Sequence, residues 1–444
     1  MNQDHLEDLF KFLSFASIST DEAHAGEVDE CANWLVAKLE GLGLGVEKHA
    51  TARHPVVLAR NKHREGRPTV MIYGHYDVQP VDPLELWHSP PFEPTVVDGV
   101  IFARGSADNK GQMMAHVLGV QETLEEAGEL PVNLIFLFEG EEEIGSPNLA
   151  PFLETHRQAL RCDVVAVSDT GMVGPGIPTL TYGLRGIACL QYVVRGPKVD
   201  LHSGIYGGAV ANPATVAAEL AASLHQASGR VAIEGFYDAV LPIEPWERAA
   251  WATVTDGDRD TLEQTGVPAL FGEEGFSSLE RRWARPTAEL NGIGGGYQGP
   301  GEKTVIGSEA FAKLSFRLVP NQEPKAILAL AAKHLEKTCP VGVELEVVLG
   351  HAGAPYVMDP QSGFGAAAQD ALRETFGGRD PALIREGGSI PIVQDFRDIL
   401  GVDTLLLGLA LPDCMAHAPN ENFPLENFEA GIRLNRSLLA RIAG

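Results

Sequence analysis

Little in this sequence belongs to a chain that is cross-linked, anchored in a bilayer or bound to polyanions. Five cysteines in 444 residues (Cys31, Cys162, Cys189, Cys339 and Cys414) are odd in number and scattered. They make no close pair of the kind a zinc ribbon or a dithiol redox motif uses, so they are expected to be reduced and mostly buried thiols. No apolar run approaches the ~20 residues of a membrane span. Met1 to Phe15 is polar and acidic where a secretory leader would begin basic and turn apolar, so the expected location is the cytoplasm, without a membrane partner. Positive charge is also scarce, with 34 Lys and Arg against 60 Asp and Glu. The resulting formal net charge of −26 repels nucleic acid and anionic lipid alike. No nucleic-acid partner is expected, and some of the surplus carboxylates are available to hold cations.

The hydrophobic share is 44%, ordinary for a globular chain, and the length provides for two to three domains with a large core. The first third alternates helical and strand signals, the pattern of a mainly parallel sheet covered by helices. Met1 to Phe15 and Val28 to Leu42 read as amphipathic helices, and Pro68 to Tyr73 as a buried strand. Four apolar strands each run toward metal-capable side chains at or beyond their carboxyl ends. Val70–Tyr73 leads to His75 and Asp77, Val132–Phe138 to the run Glu139, Glu141, Glu142 and Glu143, Val164–Val167 to Asp169, and Thr404–Leu407 to His417. Ligands of open α/β sheets bind outside such strand ends, so these residues are expected to converge on one site.

A second unit is expected as an insertion between about Leu184 and Ala354. It holds a strand (Ile187 to Val194), a helix (Asn212 to Leu224), an alternating strand (Phe311 to Leu318), a helix from Pro324 and a strand (Val343 to Leu349), which suits a small α+β sandwich. Gly229 to Gly301 would be an elaboration of it. The expected division is therefore a domain carrying these strand-end residues in two parts, 1–183 and 355–444, with an inserted domain at 184–354.

Each candidate has a plain structural reading when taken alone. His75 and Asp77 lie two apart in extended chain and project to one side, so one can ligate a cation while the other orients it, or both can bond locally at a strand end. Asp108, in Arg104-Gly-Ser-Ala-Asp-Asn-Lys-Gly111 before a helix running to about Glu126, is on its own an N-cap, yet its two oxygens can bridge two cations in company. The glutamates after Phe138 are either an acidic loop in water or a crowded set that a cation would relieve. In the second case adjacent Glu142 and Glu143 can divide the labour, one ligating while the other serves as general base. Asp169 and His417 read singly as polar caps on buried strands. His202, in Asp200-Leu-His-Ser-Gly-Ile-Tyr-Gly-Gly208, is a lone histidine, and Arg317 alternates with apolar neighbours like any exposed or ion-paired arginine.

Taken together the motifs resemble the di-zinc metallopeptidase family of aminoacylases, glutamate carboxypeptidases and succinyl-diaminopimelate desuccinylases. They are most similar to its carnosinase and cytosolic non-specific dipeptidase branch. Gly74-His-Tyr-Asp-Val78, Arg104–Gly111, Glu139-Gly-Glu-Glu-Glu-Ile-Gly-Ser146, Ser168-Asp-Thr170, Leu201-His-Ser-Gly204, Arg385-Glu-Gly-Gly-Ser-Ile-Pro391 and Ala416-His-Ala-Pro-Asn-Glu421 occur in the family's order over most of the chain. The resemblance implies that His75, Asp108 and Asp169 bind one metal and Asp108, Glu143 and His417 the other. Asp77 would orient His75, and Glu142 would be the general base acting on a metal-bridging water. It implies two divalent ions per subunit, zinc first, with manganese or cobalt as alternatives, and a cis peptide bond after Asp108. The inserted unit would be a lid and dimerisation domain of a homodimer, with His202 reaching across the interface to polarise the scissile carbonyl. Thr304 would contact substrate, while Arg317 and Ser389 would hold its C-terminal carboxylate.

The function this implies is hydrolysis of the amide bond of dipeptides or short peptides with a free C-terminal carboxylate. Alternatives within the family are N-acyl-amino-acid deacylation, carboxypeptidase action and desuccinylation. A catalytically silent metal-binding scaffold is opposed by Glu142, and a binuclear phosphoesterase by the acidity of the candidate loops.

Overall fold

The computed structural model describes residues 2–254, 257–388 and 390–444. The strands of its two main sheets include, in chain order, β1 (Gly45–His49), β2 (Val56–Arg60), β3 (Thr69–His75), β4 (Asn133–Glu139), β5 (Val164–Val167), β6 (Thr179–Leu184), β7 (Gly186–Arg195), β8 (Thr287–Gly295), β9 (Glu309–Leu318), β10 (Glu344–Gly353) and β11 (Thr404–Gly408). The helices that cover them include α1 (Gln3–Leu13), α2 (Ala25–Gly41), α3 (Lys110–Ala127), α4 (Pro213–Ala222), α5 (Pro324–Thr338), α6 (Gly363–Thr375) and α7 (Leu425–Ala443). Contacts divide the chain into unit 1 (Met1–Tyr182, Met358–Ile384, Ile392–Gly444) and unit 2 (Gly183–Val357, Arg385–Pro391).

Seven strands of the sheet of unit 1 run in the order β1-β2-β4-β3-β5-β11-β6. Its centre is parallel: β3 pairs with β4 and β5, and β11 with β5. The flanks, β1 with β2, β2 with β4 and β6 with β11, are antiparallel. Continuous apolar sequence explains this division. Every residue of β4, β5 and β11 is buried, as strands covered by helices on both faces must be. Register sets the ends level, with His75 opposite Glu139 and Tyr73 opposite Val167, so the segments leaving these strands emerge along one rim.

Helix α3 starts at that rim, and all of its residues from Lys110 to Val120 are buried. It lies against α7 at very close range, because a Cβ on Gly119 would come within 2.8 Å of Asn435 and the Ile432 carbonyl. Lys110 is buried without a carboxylate partner among the described residues. It donates instead to the carbonyls of Phe12 (3.3 Å) and Phe15 (2.8 Å), and burial lowers its pKa.

Unit 2 carries an antiparallel sheet in the order β8-β9-β7-β10. Alternation along β9 turns Ala310, Ala312, Leu314, Phe316 and Leu318 into a core shared with Tyr192, Val216 and Leu220 of α4, and Ile327 and Leu335 of α5. The opposite face bears Lys313, Arg317 and the exposed Phe311. The structure corrects one expectation here. Gly229 to Gly301 is more than an elaboration, because it supplies edge strand β8; its alternation is hidden by a register shift between Leu290 and Gly292, where the chain bulges. All five cysteines are free, yet only Cys31 and Cys162 are buried, so the expectation of mostly buried thiols does not hold.

Candidate metal centre

His75 ends β3 and is fully buried. Its Nδ1 donates to the Asp77 carbonyl at 3.1 Å and lies 3.3 Å from Asp77 Oδ1, which turns Nε2 toward Asp108 Oδ1 (3.1 Å) and Asp169 Oδ2 (3.7 Å). Asp77 does a second job, accepting the backbone N–H groups of Glu142 (3.2 Å) and Glu143 (3.1 Å) and so tying the glutamate turn to the end of β3.

Asp108 stands between two groups of ligand atoms. Its Oδ1 faces His75, while its Oδ2 is 2.8 Å from His417 Nε2, which in turn is 3.3 Å from Glu143 Oε2. Candidate ligand atoms of His75, Asp108 and Asp169 lie within 4.8 Å of one another, as do those of Asp108, Glu143 and His417. The Asp108–Asn109 peptide bond is cis. Asp169 follows β5, and Asn109 Nδ2 donates to its Oδ1 (2.9 Å) and to the Ser168 carbonyl. Behind it, His116 Nε2 donates to the Ser168 hydroxyl at 2.8 Å, and Nδ1 accepts from Asn435 Nδ2 at 3.0 Å; burial takes the pKa of this imidazole down to about 4, keeping it neutral.

The donor set fits divalent cations. Imidazole and carboxylate together suit zinc, manganese or cobalt. Glu143 Oε1 is buried and has no hydrogen-bond partner among the described residues, although Oε2 accepts from Gln79 at 2.7 Å. A buried carboxylate oxygen left unpaired is costly unless a cation meets it.

Charge is stored here against desolvation. Burial alone would lower the pKa of His75, but Asp169, Asp108 and Asp77 carry it well above the usual imidazole value. Hydrogen bonds to Asp108 and Glu143 lift His417 to about 10. Burial opposes ionisation of Asp108, yet the two imidazoles hold its carboxyl below the ordinary range. Glu142 is pushed well above the carboxylate range by burial, despite the attraction of His75, with Asp169, Asp108 and Glu143 adding repulsion. His417 also takes a left-handed backbone, with φ of 61°, as do Met415 (56°) and Asn420 (65°) in the same loop. Non-glycine residues adopt such angles only where their surroundings insist.

In unit 2, Leu201–His202 forms a short ladder with Val305–Ile306, and Ser203 N–H donates to the Thr304 carbonyl at 3.1 Å, which brings His202 and Thr304 together. His202 Nδ1 accepts from Gly204 N–H at 3.0 Å, so the exposed ring presents Nε2 as its donor. Arg317 lies on β9 opposite Ile187 and Thr287. Ser389 lies outside the described residues. The sequence motifs assign no role to Gln79, Asn109 or Glu421. Asn109 and Glu421 at least fall inside the motifs; nothing local marks Gln79.

Known proteins share this architecture. The Cys-Gly metallodipeptidase dug1 of Schizosaccharomyces pombe is 33% identical over 442 residues, covering 96% of this chain and 93% of that protein. The Beta-Ala-His dipeptidase of Homo sapiens is 31% identical over 397 residues, covering 88% and 78%. The crystal structure of the metallo-carboxypeptidase Sso-CP2 from Sulfolobus solfataricus matches with a TM-score of 0.86 and 34% identity over 100% of both chains. A family profile described as Peptidase family M20/M25/M40 matches residues 71–441. With its candidate ligands on the rim of a sheet whose centre is parallel, the chain belongs to peptidase family M20/M25/M40.

Proposed function

We propose that this metallopeptidase hydrolyses the amide bond of dipeptides, with one divalent cation held by His75, Asp108 and Asp169 and a second by Asp108, Glu143 and His417. The observation that carries the reading is the division of Asp108, whose two oxygens face two different histidines. Relatives named for Cys-Gly and Beta-Ala-His cleavage support the substrate class, and zinc is the first expectation for the metal.

Bound cations supply Lewis acidity, lowering the pKa of water and polarising a carbonyl. Glu142 takes the proton of the attacking water and passes it to the departing amine, work suited to a carboxyl whose proton affinity burial, and then the carboxylates around it, have raised. Asp77 keeps His75 in the orientation that faces Asp108. His202 donates its Nε2–H to the developing oxyanion. Thr304, Arg317 and Ser389 take the substrate around its C-terminal carboxylate, for which the planar guanidinium is well shaped. In this reading unit 2 is a lid and dimerisation domain, His202 serves the partner subunit's site in a homodimer, and the enzyme works in the cytoplasm.

A carboxypeptidase reading is favoured by the likeness to Sso-CP2. The two are separated by comparing a free-amino dipeptide with its N-acetylated form and with a longer peptide of the same C-terminus, before and after chelation. Dipeptidase action predicts that only the free dipeptide turns over and that chelation abolishes it. Equal rates on the longer peptide would establish the carboxypeptidase, and turnover indifferent to chelation would remove the metal centre from the reaction.

A further inference from the structure

Glu421 is fully buried, four residues after His417 and 313 positions from Asp108, and none of the steps of hydrolysis uses it. Its carboxylate nevertheless takes four hydrogen bonds from the Asp108 turn. Oε2 accepts from Arg104 Nη1 (2.7 Å) and Gly105 N–H (2.9 Å), and Oε1 from the N–H groups of Ala107 and Asp108 (2.9 Å each). Its backbone carbonyl accepts Ala103 N–H at 3.2 Å. Arg104, itself buried, also donates to the Pro80 carbonyl at 2.9 Å. The turn is shaped for this, with Gly105 at φ 84° and the amide dipoles converging on one anion.

An aspartate just ahead of a helix ordinarily spends its side chain on the nearest free amides. Here helix α3 has no side-chain N-cap bond, and both Asp108 oxygens face histidines instead. The same carboxylate ties the turn to the His417 loop, whose three left-handed residues would relax if released.

We infer that Glu421 is a positioning residue. By binding the backbone of the Asp108 turn and joining that turn to the His417 loop, it sets the separation at which one carboxylate serves two cations. This role rests on the proposed metal centre.

The test is zinc titration of the metal-stripped full-length protein against a chromophoric chelator, with melting of the metal-free protein measured alongside. Glu421→Gln is expected to weaken zinc binding about 10- to 100-fold, as losses of ligand-supporting contacts do. Glu273→Gln is the control: it breaks a buried two-pronged pair elsewhere, that with Arg285 (2.8 Å for both bonds), and is expected to lower melting while leaving zinc affinity unchanged. Should Glu421→Gln fail to fold, Glu421→Asp keeps the charge but withdraws it by one methylene, and is expected to show intermediate zinc affinity with the loss of activity in kcat rather than KM. Wild-type zinc affinity in whichever Glu421 variant folds, with lowered melting alone, overturns the inference and leaves the metal centre standing. A wild-type protein that binds fewer than two zinc ions overturns both.

Discussion

His75 of unit 1 and His202 of unit 2 are held in opposite ways. His75 is buried among Asp77, Asp108 and Asp169, each of which is fixed in turn by backbone or side-chain bonds from another segment. His202 sits exposed on a two-residue ladder, with one backbone N–H as the ring's only hydrogen bond among the described residues. The difference teaches what each is built for. A ligand must hold its place against the repulsion of several carboxylates, so its restraint is built in at the cost of desolvation. A donor that meets developing charge has to be aimed, while the segment bearing it can move with a substrate.

The sharpest way to break the contrast is to remove a proton carrier from the rim without disturbing the ligands. Glu142→Gln keeps the shape of the side chain, and the Asp77 bonds to the glutamate turn come from backbone N–H groups that survive. Turnover is expected to fall by about 10²- to 10⁴-fold, the range for losing a general base, with metal content measured by emission spectroscopy unchanged. Near-normal turnover would take Glu142 out of the mechanism.

On the other side, His202→Ala is expected to lower kcat by about 10²- to 10³-fold, the loss typical of an oxyanion donor. An exposed ring contributes little packing, so stability should stay within about 0.5 kcal/mol of wild type by denaturant unfolding. Metal affinity should not change either. Mixing this variant with Asp108→Asn should restore part of the activity if the site is shared between subunits. Confirmed subunit exchange without rescue would return His202 to its own subunit.

Legibility in the sequence divides along the same line. Continuous apolar strands advertise their carboxyl ends, and the parallel register then sets His75, the glutamate turn and Asp169 on one rim, because that placement is encoded locally. The bonds that restrain them are not local. Glu421 reaches the Asp108 turn, Gln79 reaches Glu143, and Asn435 supports His116 only once the chain has folded, and an Asn or Gln looks the same in sequence whether it ties a ligand or faces water. Strand β8 was hidden for a backbone reason, its bulge at Asn291-Gly292 breaking the two-residue period that reveals β9. The short His202 ladder is likewise too brief for any periodicity to show.

The smallest expected effect concerns protons. Both rim imidazoles have raised pKa values in the metal-free protein, His417 to about 10 through Asp108 and Glu143 and His75 in the same direction through Asp169, Asp108 and Asp77, so the metal-free site favours their protonated forms. A metal must displace those protons to gain Nε2, whereas Asp108, held below the carboxylate range, is already ionised. Protons and metal therefore compete, and affinity rises with pH until the imidazoles are neutral. Below that point each pH unit costs about tenfold in affinity for every proton displaced. Calorimetry of zinc binding at pH 7 in buffers of different ionisation enthalpy should therefore show net release of protons. Replacing His202 should leave that release unchanged, because nothing in unit 2 exchanges a proton for the metal. Release near zero in the wild type would mean that the carboxylates around His75 and His417 do not hold the charge their spacing implies, and the contrast between the two units would then rest on burial alone.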